Sequence, residues 1–431
     1  MCPAMTRLPC TFATVRGMGS SNRKAPELVP AVGTALYVHL PFCVSKCSYC
    51  DFYSLAAEGE DVDGALEAVI TEAHRRAPQE PRTVFVGGGT PSLYSVEALE
   101  RFFDQLDRAS GFRSSAIEVT LEANPESLDE EKVRALVGLG VDRLSIGVQS
   151  LDPDVLQLFG RAHGAEQALG ALEAARAGGI ERFSADLIYA APGQSLERWE
   201  ADLGQVLDSR PGHVSAYQLA YEKGTLMTRW KEEGRLPILD EDAELAFFGA
   251  TNRILSERGY EVYEISNFAL KNQQCRHNEA YWRNDPYVGI GPSAVSQVGG
   301  TRFGNPRSLH QWRRVVESGE FPAAWEETLA PAERLGETWW LGLRTRRGVD
   351  PEQARNTAGL DGSEDPALGR ARQLEEQGLL ERMGGCYRLT PRGWPLADAV
   401  AASFLGESPG NEFPRDPRDV PKIVGSSPFD R

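Results

Sequence analysis

The chain has 431 residues, is 41% apolar and 25% charged, and carries a net charge of −16. Its length allows two or three domains, or one large α/β barrel with an appendage, while so acidic a chain is poorly suited to coat nucleic acid or an anionic membrane. No run approaches the roughly 18 apolar residues of a membrane span, and seven cysteines, an odd number in so long a chain, do not make a disulfide scaffold.

Residues 1–34 scatter Arg7, Arg16, Arg23 and Lys24 without the apolar block of a secretory signal. They read as a disordered extension, with Met18 as a second candidate start and a transit peptide as the lesser alternative. The expected setting is the reducing cytoplasm. From Ala35 to Ala269 two textures alternate. Short β-branched runs fall at Leu36–Leu40, Val84–Val86, Ile117–Leu121, Arg143–Val148, Phe183–Ile188, Val214–Leu219 and Tyr260–Ile265. Between most of them lie Val62–Arg76, Val96–Ala109, Glu130–Leu139, Ala165–Ala177, Leu196–Leu207 and Ala243–Arg258, whose apolar residues recur every three or four positions, as in helices. Regular β-then-α order predicts parallel strands with right-handed crossovers, hence a full or partial (β/α) barrel, with a doubly wound open sheet as the competing topology.

Several of these strands end in a polar residue that an apolar strand does not need: Glu122, Gln149, Asp186 and Gln218. The C-terminal strand ends form the active face of such barrels, so the set points to one polar pocket. After Ala269 periodicity fades. Residues 271–305 are rich in Asn, Arg, Gly and Tyr. Helical texture returns at Glu333–Leu343, Glu364–Gln377 and Trp394–Phe404, with a hairpin at Leu379–Leu389 turning on Gly384–Gly385, a pattern like a small winged-helix module. It lacks the arginine stripe of a recognition helix. The last residues, rich in proline, read as a disordered tail.

Three of the seven cysteines fall within eight positions, as Cys43-x3-Cys47-x2-Cys50, just after the first strand. Core packing does not explain Ser45 and Lys46 between them. A zinc site needs a fourth ligand, for which His39, Cys275 and His277 are candidates, but no second pair with finger spacing accompanies them. A [4Fe–4S] cluster normally takes four thiolates. Three from one loop leave an iron open to a ligand that chelates through an amine and a carboxylate, and the triplet reads more readily this way.

This segment, with Tyr49 before the third cysteine, resembles the signature of the radical S-adenosylmethionine (radical SAM) superfamily. Gly87-Gly88-Gly89-Thr90-Pro91 after the second strand is similar to its motif for the SAM amino group. Within the superfamily the chain most resembles the anaerobic coproporphyrinogen III oxidase-like family, and there its HemW heme-chaperone branch. The resemblance implies a partial (β/α)6 barrel followed by a small C-terminal α+β domain. It implies one [4Fe–4S] cluster on Cys43, Cys47 and Cys50, and SAM contacts from Tyr37, Tyr49, Gly88, Gly89, Thr90, Glu122, Gln149, Arg161, Asp186 and Ala220, with Arg161 toward the SAM carboxylate. In the family one electron from the cluster can cleave SAM to a 5′-deoxyadenosyl radical. The strand-end residues found from pattern alone largely coincide with this set.

Three details separate chaperones from oxidases in that family. Phe52 stands where the oxidases have a further cysteine, only about 35 residues precede the first strand, and Cys275-Arg-His277-Asn278-Glu-Ala-Tyr281-Trp282 is similar to the H-N-x-x-Y-W motif of the heme chaperones. The resemblance therefore implies heme binding, with His277 as axial ligand, Cys275 as a lesser one, and Asn278, Tyr281 and Trp282 around the porphyrin. A plainer reading of these residues is a plug for the barrel bottom. The expected division is 1–34 extension, 35–269 core, 270–329 heme-motif region and connection, 330–405 C-terminal domain and 406–431 tail. The expected activity is delivery of heme to acceptors such as respiratory hemoproteins, with an electron donor if SAM is cleaved, membrane contact only peripheral if any, and a homodimer allowed. The alternatives are coproporphyrinogen III oxidation or SAM-dependent methyl transfer.

Overall fold

The computed structural model describes residues 33–360 and 365–405; the expectations for 1–32 and 406–431 fall outside them. Six strands run in sequence order and in parallel: β1 (Ala35–Leu40), β2 (Val84–Gly88), β3 (Val119–Ala123), β4 (Arg143–Gln149), β5 (Arg182–Tyr189) and β6 (His213–Gln218). Helices α1 (Val62–Arg76), α2 (Val96–Ser110), α3 (Glu130–Gly138), α4 (Ala165–Ala177) and α5 (Leu196–Asp208) carry the chain back between them. Local chemistry sets these helices. Asp61, Ser95, Asp129 and Ser195 each accept a hydrogen bond from a backbone N–H of the first turn. In α1 the buried Leu66, Val69, Ile70 and Ala73 form one stripe against the sheet. Every residue of β1 is buried, as a parallel strand covered on both faces must be.

The strands β1 and β6 do not pair, so this is the expected partial barrel. One expected strand differs. The run at Tyr260–Ile265, placed in the parallel series, forms β7 (Glu261–Glu264), which turns through Ile265 and Ser266 into β8 (Asn267–Ala269), and β8 pairs antiparallel with both β7 and β6. Two residues make a hairpin, whereas a parallel return needs a crossover of a dozen or more. Helix α6 (Glu241–Glu257) precedes this edge.

The segment without periodicity is folded. Helix α7 (Arg276–Trp282) is followed by β9 (Tyr287–Ile290), parallel to β1, and by the antiparallel β10 (Val295–Val298), β11 (Thr301–Gly304) and β12 (Trp325–Thr328). The result is one twelve-stranded sheet in the order β12-β11-β10-β9-β1-β2-β3-β4-β5-β6-β8-β7. The C-terminal part holds α8 (Leu309–Ser318), α9 (Pro331–Gly342), α10 (Pro351–Ala358) and α11 (Pro366–Glu376), then the hairpin β13 (Leu380–Met383) and β14 (Cys386–Leu389). Its core stacks Trp339 on Phe404, ring centroids 4.9 Å apart. Among the described residues no helix is long and apolar enough to cross a membrane.

Candidate functional site

The cysteine loop leaves β1 and is pinned by backbone bonds on three sides. Gly89 N donates to Leu40 O at 2.8 Å and Thr90 N to Phe42 O at 2.7 Å, tying the loop to the tip of β2. Cys43 O accepts from Ala57 N at 2.9 Å. The buried Ser48 bonds Phe159 O through its N–H at 3.0 Å and Leu158 O through its hydroxyl at 2.7 Å, and its carbonyl accepts from Met227 N at 2.9 Å. A Cβ on Gly89 would stand 2.5 Å from Phe42 O, so only glycine allows the two segments to touch.

Above the C-terminal strand ends lies a solvent-open cavity with about 1490 Å³ of empty space, its open mouth included. Cys43, Cys47 and Cys50 all line it, each half-buried and free. Burial raises the Cys43 thiol, and raises Cys50 to about 11 with Cys47 adding to the effect. Of the residues expected around SAM, the cavity gathers Tyr49, Gly88, Gly89, Glu122, Gln149, Arg161, Asp186 and Ala220. Arg161 organises the cysteine side: Nη1 donates to Cys47 Sγ at 3.3 Å, and Nη2 to Asn124 Oδ1 at 2.7 Å and Gly147 O at 2.9 Å. Glu122 Oε2 accepts from Gly88 N at 2.9 Å. Asp186 accepts from the hydroxyls of Ser145 and Ser184, both at 2.6 Å. Two expected contacts stand behind the wall instead. Thr90 is buried, accepting from Asn124 Nδ2 at 2.8 Å. Tyr37 bonds His39 Nδ1 through its hydroxyl at 2.9 Å and packs with Phe85, Cys275 and Ala294.

Pattern reading missed Asn124, Gly147, Arg143 and Ser145. The signal was present in β4, where Arg143, Ser145, Gly147 and Gln149 face the cavity while Leu144, Ile146 and Val148 are fully buried toward the helices. A Cβ on Gly147 would fall 2.8 Å from both Asn124 Oδ1 and Gln149 Nε2, so the gap left by the side chain is filled by these amides. Gln149 closes the strand at φ +66° beside a register shift, a conformation uncommon for a residue with a Cβ and frequent at ligand sites.

The motif expected to hold heme sits at the opposite, N-terminal end of the strands. Glu118, just before β3, accepts from His277 N at 2.9 Å on Oε1, and from Arg276 N at 2.9 Å and Arg182 Nη2 at 2.7 Å on Oε2. Arg143 and Arg182 hold its carboxyl below the usual range against the opposing effect of burial. Both ring nitrogens of His277 are engaged, Nδ1 with Thr83 Oγ1 at 2.8 Å and Nε2 with Tyr281 Oη at 2.9 Å. Burial lowers its pKa to about 3, which keeps the imidazole neutral. Cys275 is fully buried, its sulfur 3.5 Å from Glu118 Oε1, and burial holds it as a thiol. Tyr281 meets His277 and Tyr287 edge to face, and Arg344 covers the buried Trp282 at 5.4 Å from the ring centroid. Of these residues only Asn278 reaches the cavity.

The mouth suits a cluster and SAM. Among the described residues no three His, Cys, Asp or Glu side chains close around a single ion. What supports the cluster is the donor set: three free thiols from one loop, able to bind three separate irons, line the same cavity. Arg161 Nε is buried with no hydrogen-bond partner among the described residues, an open donor where the SAM carboxylate is expected.

Comparison with known proteins agrees. Residues 37–206 match the radical SAM superfamily and residues 329–396 the HemN C-terminal domain. The heme chaperone HemW of Bacillus subtilis (strain 168) is 33% identical over 377 residues, covering 86% of this chain and 99% of that protein. Its counterpart in Escherichia coli (strain K12) is 38% identical over 380 residues, covering 86% and 98%. The mitochondrial radical S-adenosyl methionine domain-containing protein 1 of Danio rerio is 34% identical over 93% of both chains. Among solved structures, coproporphyrinogen III oxidase (HemN) from Escherichia coli, a radical SAM enzyme, has a TM-score of 0.76 over 88% of this chain and 91% of that one, with 21% identity: a shared fold.

Proposed function

The chain belongs to the HemW family of heme chaperones within the radical SAM superfamily, and from that membership we propose that it binds heme, one [4Fe–4S] cluster and SAM and passes the heme to acceptor proteins. The observation that carries the cofactor assignment is the mouth of the barrel, where three thiols, an arginine with an open donor and a close-packed glycine turn share one cavity. Cys43, Cys47 and Cys50 would ligate the cluster, which supplies one electron at a time when bound. Arg161 would hold the SAM carboxylate, Glu122 with the backbone of Gly88–Gly89 its amino group, and Gln149 and Asp186 the ribose, with Ala220 beside the adenine. Tyr49, its ring edge against Phe159, and the buried Thr90 and Tyr37 would brace these contacts.

Heme is assigned to the 270–329 region through His277, with Cys275, Asn278, Tyr281 and Trp282 around it. The geometry adds a condition: iron gains a nitrogen of His277 only when its bond to Thr83 or to Tyr281 opens. On this reading the division into 35–269, 270–329 and 330–405 is one of tasks, since the sheet runs on past 269. Respiratory hemoproteins as acceptors, a reductant for any cleavage of SAM, a cytoplasmic setting, peripheral membrane contact and a homodimer belong to the same proposal.

Phe52 lines the cavity where the oxidase branch has a cysteine, which supports chaperone over oxidase. Anaerobic reconstitution, heme titration and a coproporphyrinogen turnover assay on one sample test the choice. A Soret band without turnover is expected; protoporphyrinogen formation with SAM and reductant would overturn the chaperone assignment.

A further inference from the structure

The floor of the cavity holds Arg143, which none of the roles above uses, beside Asn278, so far assigned only a place near the heme. Arg143 opens β4 and is 2% exposed; Asn278 lies in the first turn of α7 and is 8% exposed; both line the cavity. Among the described residues, nothing accepts a hydrogen bond from the Arg143 guanidinium or bonds the Asn278 carboxamide. The two carboxylates that share its charge, Glu118 and Asp186, lie near Arg143 but make their hydrogen bonds elsewhere. Glu118 receives Arg182, Arg276 N and His277 N, and Asp186 receives Ser145 and Ser184.

A guanidinium brings five N–H donors in a fixed fork and stays charged at every physiological pH. None of the Arg143 nitrogens is sealed inside the protein without a partner, so its donors open on the cavity, where something that enters the lumen can take them. We propose that the floor is a carboxylate subsite, in which Arg143 takes the two oxygens through its fork and Asn278 adds an amide donor. The planar fork matches a planar carboxylate. A single cation flanked by Glu118 and Asp186 suits a monoanionic group rather than a phosphate, and Phe85 offers an apolar wall to the carbon chain behind it. The SAM carboxylate is assigned to Arg161 at the other end of the cavity, so the floor serves a second ligand or a second arm.

Two sources carry this group. One is a heme propionate, which rests on the chaperone reading; the other is a free small carboxylate, which does not. Their test uses the full chain, reconstituted anaerobically, with hemin, hemin dimethyl ester (the same iron and ring without free carboxylates) and succinate, on wild type, Arg143→Gln, Arg143→Lys and Asn278→Leu. Iron content and SAM affinity are followed throughout. For a propionate, wild type binds hemin about tenfold or more tighter than the ester, the value of a charge-assisted bond. Arg143→Gln erases that preference, Arg143→Lys restores part of it, and iron and SAM stay unchanged. For a free carboxylate, hemin and ester bind alike, while succinate raises the Tm of wild type and leaves Arg143→Gln unmoved. If Arg143→Gln and Asn278→Leu keep their iron and match wild type in both arms, the subsite is overturned. If hemin and ester both fail to bind wild type while the succinate effect persists, the chaperone reading falls and the subsite stands. Should Arg143→Gln fail to fold, Asn278→Leu decides: wild-type behaviour in both arms, or hemin and its ester weakened equally with the succinate shift intact, overturns the proposal, and a reduced preference for hemin over its ester or a reduced succinate shift supports it.

Discussion

The two ends of the barrel are built on opposite plans. At the mouth, three thiols are half-exposed, Arg161 keeps an open donor and Gln149 sits in an uncommon backbone conformation. At the base, His277 has both nitrogens engaged, Glu118 collects two backbone N–H groups and an arginine, and Trp282 lies under Arg344. The mouth presents thiols and an open donor to a cavity, whereas at the base His277 and Glu118 are tied to partners already there, with Trp282 Nε1 and Arg182 Nε buried beside them without one among the described residues. A ligand can fill the first without rearrangement; it can use His277 only by displacing a partner that is already there.

Substitutions at the two ends should therefore fail in different ways. The largest effect is expected from Cys47→Ala, which should take reconstituted iron from about four per chain to near none while moving the stability of the iron-free chain by only about 0.5 kcal/mol. Iron and sulfide analysis with denaturant unfolding reads both, and retained iron would remove the cluster assignment. At the base the balance reverses. Glu118→Gln leaves Arg182 and Arg143 without their counter-charge and should cost about 3–5 kcal/mol of folding stability, whereas Glu122→Gln at the mouth should chiefly weaken SAM; equal stability losses would erase the contrast. His277→Ala opens a hole, strands Thr83 and removes one bond of Tyr281, for about 2–4 kcal/mol, and should abolish the Soret band of added heme. A band of equal strength and affinity would leave His277 as a plug alone.

The smallest effect is one of pH. The folded pKa of His277 is lowered to about 3 and that of His39 to about 4, both by burial, against 6.5 when unfolded. Below 6.5 the unfolded chain takes up protons that the fold refuses. Stability is therefore full above that value and falls as pH drops toward 4, by about 1–2 kcal/mol per histidine at pH 5. Denaturant midpoints at pH 7 and pH 5 measure this, and coincident midpoints would mean that the two imidazoles are less sealed from water than their packing implies.

Much of this contrast was legible in the residues. Six strands, their helices and the C-terminal hairpin follow from periodicity, and the cysteine triplet with Glu122, Gln149 and Asp186 marked the mouth before any geometry. The direction of β7 was not legible, because alternation of side chains is the same in parallel and antiparallel strands and only the two-residue turn decides. Strands β9 to β12 are four residues each, too short to show a period among Asn, Arg and Gly. Arg143 escaped notice because polar residues were sought at strand ends, and it stands at a strand start, joined to Gln149 by the alternation of β4. The closed state of the base was hidden for a different reason. A histidine in a motif looks the same whether it waits for iron or is tied to Thr83, 194 positions away.

The backbone bonds that clamp the cysteine loop, at Gly89, Thr90, Ala57 and Ser48, involve no thiol. Oxidative loss of iron would thus bleach the protein without dismantling the seat that held the metal. On the cluster assignment, repair then needs a thiol reductant, sulfide and fresh iron rather than refolding, and a stripped molecule remains a reusable one.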